Sequence, residues 1–446
     1  MGGMNPSPAH GSRARHALPA VAALALVLLL GAVASAAPES PGDQLRLAII
    51  VSRHGVRSPL TTPEKLAAFS SQAWPKWEVE PGLQTPRGNE LVALMGDYYR
   101  ARLIREGALS GDPARDAGLV WVRADNDQRT LETARIIGKS LIQSGEPEVH
   151  QVPKGTEDPL FRPYKAHVGN PDSALAVAAI LGRMGGDPRN VERAYARQLD
   201  ELKAVLYGPA GPGPDSPFNA AGAVGHGRKN YLVDYTGPML TALQTTDALL
   251  LEYADNKPMS DVGWGRLDPK TLTDILSLHD IFFDLAERTF YPAQVGASNL
   301  ASHIVDTLEQ AATGDPVPGA LGEPGGKVVV LVGHDTNLAN LGGLFGMSWI
   351  VDGSPMNPTL PGSALLFELW KRPGPDGACY VQVSYVSQTL EQLRQATVLT
   401  PDSPPAVAPV FVPGASGSAP GYGAPLPAFV RQARKVISPG FIAPEE

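Results

Sequence analysis

Three short stretches of this sequence concentrate groups able to handle an anionic ester. Arg53, His54 and Arg57 fall within five residues, Arg129 follows an acidic turn, and His334 is followed directly by Asp335. Arginine keeps its charge at any ordinary pH, and its planar fork fits two phosphate oxygens. Brought together, these residues would offer three guanidiniums, two imidazoles and one carboxylate. Such a cluster stabilises the equatorial charge of a phosphoryl group in transfer, and no metal or cofactor is called for. Histidine can accept a phosphoryl group covalently. Neighbouring guanidiniums lower its pKa, which keeps some of the imidazole unprotonated in mild acid. A departing alkoxide needs a proton, and Asp335 is the candidate donor.

The elements that must position these groups are readable from apolar patterning. Leu45 to Val51 is a near-continuous apolar run, as expected of a strand buried on both faces, and it leads directly into Arg53-His54. Leu119 to Val122 is a second such run, ending in Arg123-Ala124-Asp125-Asn126-Asp127. Val328 to Val332 is the clearest, ending in Gly333-His334-Asp335. Helices are expected over about Arg87–Glu106 and from Gln128 onward, so strand, turn and helix repeat. The fold class is therefore α/β, a mixed and largely parallel sheet flanked by helices. Ligands in such sheets bind beyond the carboxyl ends of the strands, which is where all three stretches lie.

Between 171 and 301 helical patterns take over: Ala174–Arg183, Val191–Leu206, Pro238–Tyr253 and Leu272–Arg288. This predicts an inserted all-helical cap, with the α/β domain in two parts, 44–170 and 302–446. Ala364–Trp370 and Tyr380–Tyr385 suggest a hairpin. Residues 401–427, rich in Pro, Gly, Ala and Ser, suggest a long surface loop.

Arg13 and Arg15, the apolar run Leu18–Val33 and Ala34-Ser35-Ala36 have the layout of a secretory signal peptide, expected over 1–36. A periplasmic or secreted location is implied, with no stable membrane span after cleavage. The chain of 446 residues is 43% hydrophobic and 18% charged, as in a globular protein, and its net charge is −8. Loss of 1–36 removes Arg13 and Arg15 and no acid, giving −10. An acidic surface is a poor general binder of nucleic acid, so an anionic substrate must be captured by local cations. The single cysteine, Cys379, excludes an intramolecular disulfide and a thiolate zinc cluster.

Arg53-His54-Gly55-Val56-Arg57-Ser58-Pro59 resembles the RHGxRxP signature of the histidine acid phosphatases, and Gly333-His334-Asp335-Thr336-Asn337 resembles that family's HD motif. Leu83–Gly88, Asp125–Thr130, Asp158–Phe161, Gly263–Arg266 and Asn337–Leu344 are similar to its bacterial branch of periplasmic phytases and glucose-1-phosphatases. The resemblance implies a phosphoglycerate mutase-like α/β fold with a helical cap. It implies His54 as the nucleophile, Arg53, Arg57, Arg129 and His334 as phosphate ligands, and Asp335 as proton donor. Leu60 resembles the glucose-1-phosphatase type and Thr336 the phytase type, while Thr61 and His279 are candidate substrate contacts. The implied partner is a small phosphate monoester, phytate or a sugar phosphate, acted on by a monomer. The alternative of another class is a non-catalytic exported phosphate-ester binding protein, which has no need of both His54 and Asp335.

Overall fold

The computed structural model describes residues 40–444, apart from Lys229, Pro375, Asp376 and Pro420. The apolar amino-terminal segment and its cleavage pattern lie outside the described residues.

The strands are β1 (Gln44–Arg53), β2 (Val120–Ala124), β3 (Val149–His150), β4 (Ala223–His226), β5 (Val233–Thr236), β6 (Val328–Gly333), β7 (Ala364–Lys371), β8 (Cys379–Ser387), β9 (Ala406–Val410) and β10 (Ala424–Pro425). Eight form one mixed sheet in the order β10-β8-β7-β1-β6-β2-β3, with β9 also on β8; β4 and β5 pair separately. The β1–β6, β6–β2 and β2–β3 pairs are parallel, and β7, β8, β9 and β10 are joined antiparallel.

β6 and the Leu47–Val51 stretch of β1 are apolar without interruption because helices cover both faces. Leu47, Ile49, Val51, Val329 and Leu331 pack toward Phe290–Thr313 and Asp335–Phe345. Ala48, Ile50, Val328 and Val330 pack toward Pro86–Arg105 and Gln128–Ile142. The register brings the chemistry together: Ser52 and Ala124 both pair with Val332, and Arg53 pairs with Gly333. Three parallel strands thus end level, and the residues just beyond them share one edge.

The turn after β1 is pinned from two sides. The Gly55 N–H donates to Thr133 Oγ1 at 2.9 Å, and Thr133 Oγ1 donates to Gln84 Oε1 at 2.7 Å. Thr85 caps the helix Pro86–Arg105 by accepting from the Gly88 N–H, and Pro86 sits at its first position, where no N–H is needed. Gly88 is required there: a Cβ would stand 2.1 Å from the Val56 carbonyl oxygen.

The helical middle section comprises Ser173–Arg183, Arg189–Ala194, Ala196–Tyr207, Pro238–Ala254 and Pro269–Ala286. It has its own apolar cluster, which includes Leu202, Leu206, Leu249, Leu272 and Leu278. Three expectations need correction. The section 171–301 is not all-helical: β4 and β5 form an antiparallel hairpin inside it, from Ala223↔Thr236 to His226↔Val233. The helix expected over Val191–Leu206 is broken at Tyr195, whose angles (φ −109°, ψ 22°) are not helical. The stretch 401–427 is not only loop: β9 pairs with β8 from Val383↔Val410 to Ser387↔Ala406. Pro409 is tolerated in β9 because a strand on the sheet's edge has one row of N–H groups to spare.

Candidate active site

At the level ends of β1, β2 and β6 lies a cavity of about 570 Å³, lined among others by His54, Arg57, Arg129, His334 and Asp335. Thr61 and His279 line it as well, so all these sequence-predicted residues border one space. Arg53 is fully buried beneath it.

His54 is buried, and its Nδ1 lies 2.8 Å from the Gly55 carbonyl oxygen. A carbonyl only accepts, so Nδ1 carries the proton and Nε2 keeps its lone pair. Burial first, then Arg129, Arg53 and Arg57, push the His54 pKa well below its ordinary value, which favours the neutral ring. The His54 and His334 rings meet edge to face, centroids 5.7 Å apart.

The guanidiniums are not free. Arg53 Nη2 lies 3.0 Å from Asp335 Oδ2 and 3.4 Å from Asp247 Oδ1, and Arg57 Nη2 lies 3.2 Å from Asp247 Oδ2. Arg129 Nη2 lies 2.5 Å from Asp127 Oδ2. Yet Arg53, Arg57 and Arg129 each keep a buried Nε–H with no acceptor among the described residues.

His334 N-caps the helix Asp335–Phe345, and its backbone N–H donates to Asn337 Oδ1 at 2.8 Å. Asp335 is therefore the first helical residue, not the cap. Burial raises the Asp335 pKa, but Arg53 and Arg57 outweigh it and hold the carboxyl at about 2. His334 Nε2 donates to Asp125 Oδ2 at 2.6 Å. Burial likewise raises Asp125, and the His334 hydrogen bond and Arg162 bring it to about 2.

Arg162 carries no signal in the sequence pattern. Its Nε donates to Asp125 at 2.6 Å, its Nη2 contacts Asp127, and Nη2 stands 3.1 Å from His334 Nε2. Asp125, Asp127 and His334 could offer ligand atoms within 4.8 Å of one another to a metal. The Arg162 guanidinium touches all three and supplies that positive charge itself. Asp247 is equally silent in the sequence: it is an acid in mid-helix with no motif around it. Asp125 and Asp127 flank a recognisable turn, and that is their only signal.

His279 is buried, its Nδ1 3.0 Å from Asp280 Oδ1 and its ring stacked on Phe283 at 4.7 Å.

A neutral imidazole with a free lone pair, guanidiniums around it and a carboxyl alongside can together take up and cleave a phosphate ester. The class of protein so defined is a phosphomonoesterase. The chain belongs to the histidine phosphatase superfamily, branch 2, whose family model matches residues 44–386. It is 35% identical over 397 residues to the phytase AppA of Escherichia coli K12, covering 86% of this chain and 89% of that one. It is 29% identical over 407 residues to a glucose-1-phosphatase of Salmonella typhimurium, covering 87% and 92%. The Hafnia alvei phytase in complex with tartrate superposes with a TM-score of 0.83 at 33% identity, covering 92% of this chain and all of that one. The Citrobacter braakii phytase gives 0.81 at 31%, covering 90% and 100%. The protein is thus an acid phosphatase, and the non-catalytic alternative is set aside. Among the described residues no helix is long and apolar enough to cross a membrane.

Proposed function

We propose that this protein is an exported acid phosphatase that cleaves small phosphate monoesters, sugar phosphates and phytate among them, through a phosphohistidine at His54. Arg53, Arg57, Arg129 and His334 hold the phosphate. Nε2 of His54 attacks phosphorus; the N–P bond forms as the ester P–O bond breaks, and its electron pair leaves on the alcohol oxygen. Asp335 gives that oxygen its proton. In the second step water attacks phosphorus, Asp335 takes the water's proton, and the N–P bond breaks to free phosphate and His54.

The observation that carries this reading is the fixed tautomer of His54, with Nδ1–H tied to the Gly55 carbonyl at 2.8 Å. The low Asp335 pKa fits the same scheme. Phosphate oxygens take over the guanidiniums that now stabilise the carboxylate, so substrate binding raises its affinity for a proton. Residues 1–36 act as the export signal, 171–301 as the cap over a domain formed by 44–170 and 302–446, and the enzyme works as a monomer.

The test is hydrolysis of p-nitrophenyl phosphate at about pH 5 in excess EDTA, wild type beside His54→Ala. Activity that persists with the chelator and vanishes in the variant is expected, with acid-labile phosphate trapped on the wild type. Full activity of His54→Ala would refute the mechanism.

A further inference from the structure

The part of the cavity away from His54 has a different chemistry from its floor. Its walls come from the middle section, the β4–β5 hairpin as well as the helices, with Leu60 at the rim, and include Tyr231, Tyr235, Leu243, Phe282 and Phe283. Tyr235 and Phe282 meet edge to face at 4.9 Å, and Phe283 lies parallel to His279 at 4.7 Å. Leu60 is 57% and Tyr231 66% exposed, so both present apolar surface to whatever enters.

The charges are as informative. Among the described lining residues the cations are Arg57, Arg129, Arg162 and Lys165. The three arginines gather at the floor, each paired with an aspartate. Among the described residues Lys165 is the one lysine or arginine of the outer part, its Nζ 5.9 Å from the centre of the Tyr231 ring. Glu287 also lines the cavity, its carboxylate accepting from Asn340 Nδ2 at 3.0 Å. A ligand with one phosphate is matched by this floor. A ligand with several would set the others against walls that, among the described residues, offer neutral donors such as Thr61, Asn230 and Gln244 but only Lys165 as a further Lys or Arg, so each added anion trades water for uncharged partners. A flat ring, by contrast, gains stacking and apolar burial there.

We propose that the outer cavity is a leaving-group site for an aromatic ring, so that the enzyme prefers ring-bearing monophosphates to inositol polyphosphates. The proposal rests on the phosphatase reading and assigns the substrate class of that same site.

The test compares adenosine 5′-monophosphate, ribose 5-phosphate and phytate at about pH 5. Both of the first two leave through the primary 5-hydroxyl of a ribose, so their difference reports the base and not the leaving-group chemistry. The expected kcat/KM is about ten-fold or more higher for the nucleotide than for ribose 5-phosphate, the size one stacked base contributes, with phytate lowest. Phe282→Ala should bring the nucleotide down to the ribose 5-phosphate value and leave ribose 5-phosphate within two-fold. Tyr231→Lys, at an exposed position, should raise phytate turnover and lower that of the nucleotide. Nucleotide and ribose 5-phosphate within two-fold of each other, or phytate equal to the nucleotide, would overturn the proposal while leaving the phosphatase intact. No turnover of any of the three would overturn both.

Discussion

Replacing Asp335 by Asn separates the two things its carboxyl does. The change is nearly isosteric. Oδ1 accepts from the Thr336 N–H at 2.8 Å, and an amide oxygen does so equally, so the start of the helix survives. What disappears is a proton donor and a negative charge. A positioned acid contributes roughly 10²- to 10⁴-fold when the leaving group needs its proton. The alcohol of ribose 5-phosphate needs it; p-nitrophenolate leaves unaided. The kcat/KM for ribose 5-phosphate should therefore fall by about 10²-fold or more, and that for p-nitrophenyl phosphate by less than about ten-fold. This ratio reports events up to phosphorylation of His54, so a slowed second step does not disturb it. The charge acts separately. A unit charge roughly 5 Å from a phosphate oxygen, at an effective dielectric of about 20, repels it by about 3 kcal/mol before solvent screening. With half of that surviving, inorganic phosphate should inhibit the variant about ten-fold more strongly. The assay is steady-state kinetics on both esters with phosphate as competitor. Equal losses on the two esters would refute the assignment of Asp335 as acid, and unchanged phosphate inhibition would refute the electrostatic half.

Buried charge leads to two predictions about stability. Burial raises Glu252 from 4.5 to about 8, and neither carboxyl oxygen has a side-chain partner among the described residues. Between those values the native state keeps a proton that the unfolded chain gives up, so its stabilising share is complete below 4.5 and is lost as the pH rises toward 8. Glu252→Gln should gain thermal stability over wild type as the pH rises from 4.5 to 8, with about 5 kcal/mol as the ceiling, which melting curves across that range would read. Arg102 Nη1 and Nη2 meet the two oxygens of Glu368 at 2.5 and 2.9 Å in the core between β7 and the helix Pro86–Arg105. Glu368→Ala should cost roughly 3–5 kcal/mol in urea unfolding, because it removes the carboxylate from beside a buried guanidinium; a loss under about 1 kcal/mol would mean that the pair contributes little.

Whether a site residue is legible in the sequence depends on whether it sits at the end of an apolar run. His54, His334 and Asp335 do, and a strand buried on both faces leaves few alternatives for the placement of the residues just past its end. Their meeting is implied by parallel pairing, and the register Arg53↔Gly333 is its detail. Asp247 cannot be read this way. It lies in a helix among Thr245, Thr246, Ala248 and Leu249, and its role depends on that helix bringing it to Arg53 and Arg57, which no local pattern encodes. Arg162 comes after Asp158-Pro159-Leu160-Phe161 in an irregular stretch, where spacing carries no information about direction. The pairing of β9 is hidden because its composition is that of a loop, and only the neighbouring edge of β8 makes it a strand.

The residues that are not legible change the nature of the site. From the sequence, the pocket is three guanidiniums, two imidazoles and one carboxylate in an acidic chain. In the structure, Arg53, Arg57, Arg129 and Arg162 face Asp247, Asp335, Asp127 and Asp125, four against four. A phosphate entering this site does not meet bare positive charge; it competes with carboxylates for donors that are already turned inward. The binding free energy is then a difference between two sets of charge-assisted hydrogen bonds, not the sum of one. That difference favours the transition state over the product, because charge gathers on the equatorial oxygens during transfer. It also disfavours tight retention of inorganic phosphate. On the proposed assignment of the phosphate ligands, these carboxylates would then promote turnover instead of spoiling the cation pocket.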